Sequence, residues 1–242
     1  MPDISDPYAS VAEYVDLMSR PFWQSFGTVL ENVLENAGSD PVLDIGAGTG
    51  MALTRVAALL PRHDIVAIEP SQALRTGLFA RLSEDPALAA RVTVLPVTVQ
   101  EAVLPSRVGA VTGINMLGHL PPADRLALWE RLAAALSPGA PAVFTLQPPA
   151  RPERIAEQPF GEAVAGTRRY SASGAAEPAG PGQVRWRVTY RVHDRETLVT
   201  EKTMENDWWT LDPAVIEDEL RRSGLEARTS DYVLVARRPD PG

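Results

Sequence analysis

Three glycines and a following carboxylate carry the first chemical signal in this chain. Residues 42–50 read Val-Leu-Asp-Ile-Gly-Ala-Gly-Thr-Gly, a short apolar run that ends in a turn with glycine at 46, 48 and 50. Such a turn lets backbone approach a ligand where a side chain would block it. Glu69 closes the next apolar run, where a carboxylate can grip the two hydroxyls of a ribose. Gly46, Ala47, Gly48 and Glu69 thus describe a pocket for an adenosine-like ligand. The dinucleotide fingerprint G-x-G-x-x-G would need glycine at 51; Met51 stands there and disfavours a nicotinamide-dependent oxidoreductase.

His119 follows a later apolar run. Its imidazole could take a proton from a phenol, hydroxyl or ammonium, or could support its own loop by a backbone hydrogen bond. His63 reads as structural and His193 as solvent-exposed. Three scattered histidines without paired spacing offer no metal site. Trp208 and Trp209 are adjacent, so alternating side-chain directions send one inward. One is expected to fill core and the other to line a substrate pocket. Arg168, Arg169 and Tyr170 read as a solvated loop that could also meet an anionic or hydroxylated substrate.

The elements that must position these residues alternate along the chain. Val11–Met18 has helical spacing, and Pro21 ends that helix and opens a second one with the stripe Phe22, Phe26, Val29, Leu30, Val33 and Leu34. Strands are expected at Val42–Ile45, Ile65–Glu69, Val92–Val97, Val108–Ile114 and Ala142–Leu146. Helices are expected between them at Thr49–Leu60, Ser71–Leu82 (capped by Ser71) and Pro122–Leu136. Strands alternating with helices pair in parallel through crossovers, giving a sheet covered on both faces. Residues 148–182 are rich in Pro, Gly, Ala and Ser and read as loop. Val184–Val192 and Leu198–Trp208 alternate as an antiparallel hairpin around a turn at His193–Thr197. Asp212 caps a helix over Pro213–Ser223, Gly224 ends it, and Leu225–Thr229 and Tyr232–Ala236 are the last strands.

The 242 residues suffice for one large domain. A net charge of −8 without a basic face argues against nucleic acid as the main substrate. The absence of cysteine removes disulfides, zinc–thiolate sites and cysteine nucleophiles. Asp3 and Asp6 stand where a secretory leader would be basic and then apolar, and no apolar run approaches the roughly 20 residues of a membrane span. A soluble cytoplasmic protein acting on a small molecule, with neither nucleic acid nor membrane as partner, is the expectation.

Val-Leu-Asp-Ile-Gly-Ala-Gly-Thr-Gly resembles motif I of the class I S-adenosylmethionine-dependent methyltransferases. Glu69-Pro70-Ser71, Asn115–Leu120 and Leu136-Ser137-Pro138-Gly139 resemble, in order and spacing, the ribose-binding end of strand two, the segment beside the methyl donor and the turn before strand five. The resemblance implies an α/β, Rossmann-like fold: a seven-stranded, mostly parallel sheet with the last strand antiparallel, helices on both faces, and an added antiparallel hairpin. Residues 1–40 would be a helical lid, 41–147 the cofactor-binding core, 148–210 a loop and antiparallel insertion, and 211–242 the closing helix and strands of one domain.

The same resemblance implies S-adenosylmethionine as cofactor and S-adenosylhomocysteine as product. Gly46, Ala47 and Gly48 would underlie its amino-acid part, Asp44 would orient the loop and assist its ammonium, and Glu69 would hold its ribose. Pro70, Ser71, Thr98 and Val99 would flank the adenine, with Asn115 and Met116 near the ammonium. Relatives that act on small molecules often carry a tyrosine-bearing lid helix. Tyr8 and Tyr14 are therefore candidates for the cofactor carboxylate, unless Tyr14 packs on its helix neighbours. Tyr8, Met18, His119, Trp208 and Trp209 would face the substrate. The implied reaction is methyl transfer to an O, N or C atom of a specialised metabolite. Some relatives catalyse cyclisation instead, and the added layer could also form a homodimer.

Overall fold

Five short apolar runs set the architecture of the computed structural model, which describes residues 6–239. Asp3, used above in reading the N-terminal segment, lies outside those residues. The runs form β1 (Val42–Ile45), β2 (Ile65–Ile68), β3 (Val92–Leu95), β4 (Ala110–Gly113) and β5 (Pro141–Thr145). Every residue of β1, β4 and β5 is buried, as befits parallel strands covered on both faces. The chain closes with β10 (Glu226–Ser230) and β11 (Val233–Arg237), and the sheet order is β3-β2-β1-β4-β5-β11-β10. Only β11 opposes its neighbours, pairing antiparallel with both β5 and β10.

Helices cover the sheet as the periodicity predicts. On one face α1 (Ala12–Leu34), α2 (Met51–Leu59), α3 (Gln72–Glu84) and the short α4 (Pro86–Ala89) bury Phe26, Leu30, Leu53, Val56 and Leu78. On the other, α5 (Pro122–Ala135) and α6 (Pro213–Arg222) bury Leu128, Trp129, Leu132, Ile216 and Leu220. The caps fall where they were expected. The Ser71 hydroxyl accepts from the Leu74 amide at 3.1 Å, and the Asp212 carboxylate from the Ala214 amide at 3.0 Å.

Two expectations are corrected. The N-terminal region is one helix, α1, with Pro21 inside it, rather than two helices. Proline removes one backbone donor at that point, and the burial of Tyr14, Trp23, Phe26 and Leu30 along both halves outweighs the loss. Residues 148–182 are not a loop: most of them form β6 (Ile155–Ala165) and β7 (Arg168–Gly180). With β8 (Gln183–Asp194) and β9 (Thr197–Trp209) they build a four-stranded antiparallel sheet in the order β6-β7-β8-β9. The predicted hairpin is its β8–β9 half, and Arg168, Arg169 and Tyr170 lie on β7. The small residues serve close packing. Ala172 lies in the cluster of Tyr14, Val188 and Tyr190, and the Phe160 ring sits where a Cβ on Gly174 would come within 2.5 Å of it.

Candidate functional site

The site opens at the carboxyl ends of β1, β2 and β4, where the strand order reverses between β1 and β4. The turn after β1 needs its first glycine on two grounds. Gly46 has φ +70°, and a Cβ there would stand 2.8 Å from Met116 Cβ. Above Gly48 a Cβ would meet nothing closer than 4.0 Å, so the turn has an open side. Asn115 closes β4 in the left-handed region, at φ +57°. The Thr145 hydroxyl of β5 holds it there, accepting from the Asn115 amide at 2.8 Å and donating to its side-chain oxygen at 2.9 Å.

Two buried carboxylates face this turn. Glu69 accepts from the Gly48 amide through Oε2 and from the Ser71 amide through Oε1, both at 2.7 Å. Burial raises its pKa against the pull of those amides. Each oxygen keeps lone-pair capacity for a further donor. Asp44 accepts from the Thr112 hydroxyl at 2.6 Å through Oδ1, while its buried Oδ2 has no partner among the described residues. Burial is the main cause that lifts the Asp44 pKa to about 6, with the Glu69 charge adding to it.

The chain ahead of α1 straps this end of the sheet. Asp6 accepts from the Ser71 hydroxyl at 2.8 Å and the Ala73 amide at 3.2 Å, which ties it to the start of α3. Two residues on, the Tyr8 hydroxyl lies 3.1 Å from His119 Nε2, in the 3-10 turn Leu117–His119 that follows β4. The far side of that imidazole belongs to the antiparallel sheet. The Asn206 amide is 3.5 Å from Nδ1, and the Trp208 ring lies 4.5 Å from the imidazole, centroid to centroid. Trp208 comes so close to the turn that a Cβ on Gly118 would fall 1.6 Å from its Nε1. Below α1's first turns, Asp16 accepts from the Thr49 hydroxyl and pairs with Arg81, whose Nε donates to the Thr49 carbonyl at 2.8 Å. α1 is thereby latched to the glycine turn.

Burial lowers the His119 pKa from 6.5 to about 4, so the ring is neutral at pH 7 and the Tyr8 phenol donates to it. Falling pH therefore protonates the unfolded chain first. The stability tied to the neutral ring is complete above pH 6.5 and declines as pH drops toward 4, by about 3 kcal/mol in all. Asp44 acts with the opposite sign between its unfolded value and 6, so wild type alone would mix the two. Denaturant unfolding of wild type and His119→Gln at pH 7 and pH 4.5 separates them: wild type should lose about 2–3 kcal/mol more than the variant.

Other residues singled out in the sequence make contacts of their own. Tyr14 is turned away from the glycine turn and stacks on Tyr190 of β8 at 5.0 Å and 15°, because α1 docks on the second sheet there. Met18 packs against the same cluster. The Thr98 hydroxyl donates to Glu101 at 2.8 Å, and Val99 is buried in the core with its carbonyl accepting from Arg131 at 2.6 Å. Pro70 gives its carbonyl to Arg75 at 2.7 Å. Trp209 points to the face opposite Trp208, and its ring lies 3.6 Å from a Cβ placed on Gly182. The inward tryptophan is Trp208. Asp6, Asp16 and Asn206 were not among the expected site residues. Of these only Asn206 had a local signal: two residues before Trp208 on a strand, it shares that face.

These features fit an adenosyl sulfonium ligand: an unpartnered buried oxygen on Asp44, spare acceptor capacity on Glu69, and open space over Gly48. Among the described residues no group of three or more His, Asp or Glu is placed to hold a metal, and no helix is long and apolar enough to cross a membrane. No curated protein matches the chain. Residues 43–142 match the family model of a methyltransferase domain. The structure resembles DesVI of Streptomyces venezuelae, with a TM-score of 0.76 and 18% identity over 96% of this chain and 98% of that one. It also resembles CalS10, an amino pentose methyltransferase from Micromonospora echinaspora solved with S-adenosylmethionine (TM-score 0.70, 18% identity, 90% of each chain). A third likeness is the sugar N-methyltransferase KedS8 of a Streptoalloteichus species (TM-score 0.65, 16% identity, 90% and 87%). At these identities the likeness is one of fold. The family match thus shows a methyltransferase domain over residues 43–142, set within the fold that these solved structures share.

Proposed function

We propose that this protein uses S-adenosylmethionine to methylate an amine nitrogen of a small specialised metabolite. One observation carries the choice of nitrogen. His119 is neutral, half-buried and flanked by Tyr8, Asn206 and Trp208, and among the described residues no carboxylate contacts its ring. An imidazole of pKa about 4 is a weak base for removing a hydroxyl proton. A neutral amine needs no proton removed before it attacks, and burial favours the neutral amine over the ammonium. The amino pentose and sugar N-methyltransferases of the same fold support this reading.

In this mechanism Glu69 accepts from the ribose hydroxyls, the glycine turn underlies the amino-acid end, and Asp44 receives the ammonium through its unpartnered oxygen. The cofactor supplies an electrophilic methyl group on a sulfonium. The chain's part is alignment and exclusion of water. His119 Nε2 accepts from the amine N–H in place of the Tyr8 hydroxyl and turns the lone pair toward the methyl. Tyr8 covers the acceptor from the lid side, and after transfer the surplus proton leaves with the product ammonium.

His119→Ala should lower kcat by about 10- to 100-fold, an orientation effect smaller than the loss of a full acid–base step, and leave S-adenosylhomocysteine affinity within twofold. A panel of small amines and matched alcohols, read by mass for the gain of one methyl group, tests the main reading. Methylation of alcohols but no amines would reject it.

A further inference from the structure

Residues 6–11, ahead of α1, cross the open end of the parallel sheet. Among the described residues their hydrogen bonds to the rest of the protein are made at Asp6, Tyr8 and Ser10. Asp6 holds the first turn of α3, the Tyr8 phenol meets His119, and the Ser10 carbonyl accepts from Lys202 of β9 at 3.0 Å. The start of α3 follows β2 and His119 follows β4, and the sheet runs β2-β1-β4 at this point. A segment fixed at both places therefore passes the end of β1, where the glycine turn lies.

Asp6 has two attachments within that segment. Its Oδ1 accepts from the Tyr8 amide at 3.0 Å, a turn that sets the backbone from which the phenol extends. Its Oδ2 accepts from the Ser71 hydroxyl and the Ala73 amide, where the helix dipole and the free amides favour an acidic group. The Ser71 amide in turn donates to Glu69, and the Gly48 amide to the other oxygen of Glu69. Hydrogen bonds thus lead step by step from the glycine turn through Glu69, Ser71, Asp6 and Tyr8 to His119.

At the far end the phenol and the imidazole meet edge-on, with centroids 6.1 Å apart and rings inclined by 68°. Desolvation, with the Glu69 charge added, raises the Tyr8 pKa, so the phenol keeps its proton for the imidazole. The hydroxyl stands at the tip of a long, rigid ring, so a small rotation of the Tyr8 backbone is magnified there. A displacement of about 0.5 Å is enough to take such a contact out of hydrogen-bond range.

We propose that Asp6 is a positioning residue for the acceptor end. Its carboxylate ties the Tyr8 backbone to the start of α3 and so fixes the phenol on His119, which stays covered until an acceptor amine takes the phenol's place. Asp6 acts through Tyr8, two residues on, rather than at the reacting atoms. Its part in turnover rests on the reading of His119 as the acceptor end.

Histidine-selective nitrogen NMR on the full chain tests this. The chain has three histidines, and His119→Gln assigns one of the three imidazoles. In the ligand-free protein at pH 7, Tyr8→Phe should move the His119 Nε2 resonance toward that of an unbonded nitrogen. Asp6→Ala should move it the same way by at least half as much. Asp6→Asn, which keeps an oxygen for the Tyr8 amide, should move it less. Asp6→Ala added to Tyr8→Phe should bring no further shift, because both changes act on one bond. His63 and His193 should stay in place. An unmoved His119 in Asp6→Ala, an equal shift in the Tyr8→Phe background, or movement of all three imidazoles would overturn the proposal. If Asp6→Ala does not fold, an unmoved His119 in Asp6→Asn overturns it equally. These spectra need no ligand. Failure of S-adenosylhomocysteine to bind in calorimetry would overturn the methyl-transfer reading instead, and would leave the spectral result standing.

Discussion

Glu69→Ala should weaken S-adenosylhomocysteine binding by about 100-fold or more, measured by calorimetry at pH 7. The carboxylate is 4% exposed, and each oxygen already accepts one amide from the turns it joins. A ribose would add a charge-assisted bond to each oxygen, at about 1.5–3 kcal/mol apiece, which places the loss at about 3–5 kcal/mol. The alanine variant also leaves the Gly48 and Ser71 amides without their acceptor, so part of the loss would come from a loosened turn. Glu69→Gln separates the two causes. Its amide keeps one acceptor oxygen for the backbone and removes the charge, so a turn effect would recover by about half while the ribose loss would persist. Affinity within threefold of wild type in both variants would reject the ribose assignment.

The second large effect concerns stability rather than ligand binding. Arg125 of α5 and Glu219 of α6 form a buried, two-pronged pair at 2.8 and 2.7 Å, and the Trp129 indole donates to the same carboxylate at 3.0 Å. The pair joins the two helices that cover one face of the sheet. Arg125→Met leaves a buried carboxylate with the indole as its remaining partner, and should cost about 3–5 kcal/mol. For a chain of this size that corresponds to a fall in Tm of roughly 10 °C or more. The double variant Arg125→Met, Glu219→Leu should regain most of the loss, since no stranded charge remains. Thermal unfolding of both proteins checks this, and a single-variant loss under about 1 kcal/mol would show that water reaches the carboxylate.

The parallel core was legible because its signals are local. Val42–Ile45 is fully apolar apart from Asp44 because both faces of a parallel strand are covered, and the glycines after it announce a turn that other residues cannot adopt. Ser71 and Asp212 mark helix starts by bonding amides two or three residues on. The second sheet was half hidden. In β6 and β7, Ala, Gly, Ser and Pro read as loop, yet they are small because Tyr14 and Phe160 occupy the space above them. Pro21 reads as a helix break, and only the packing on both sides of it shows that α1 continues.

The sequence by itself determined the strand that ends in the glycine turn, the acidic residue at the tip of the next strand and the order of the core elements, because each depends on backbone geometry within a few neighbouring residues. It also marked His119 and the Trp208–Trp209 pair as candidates, without saying what they face. Only the tertiary structure decided that Tyr8 meets His119 across 111 residues, that Asn206 and Trp208 close on the ring from another sheet, and that Tyr14 turns away to stack on Tyr190. Those contacts depend on how α1 and the antiparallel sheet dock on the core. Docking is set by the summed fit of many side chains, so no short stretch of residues records it.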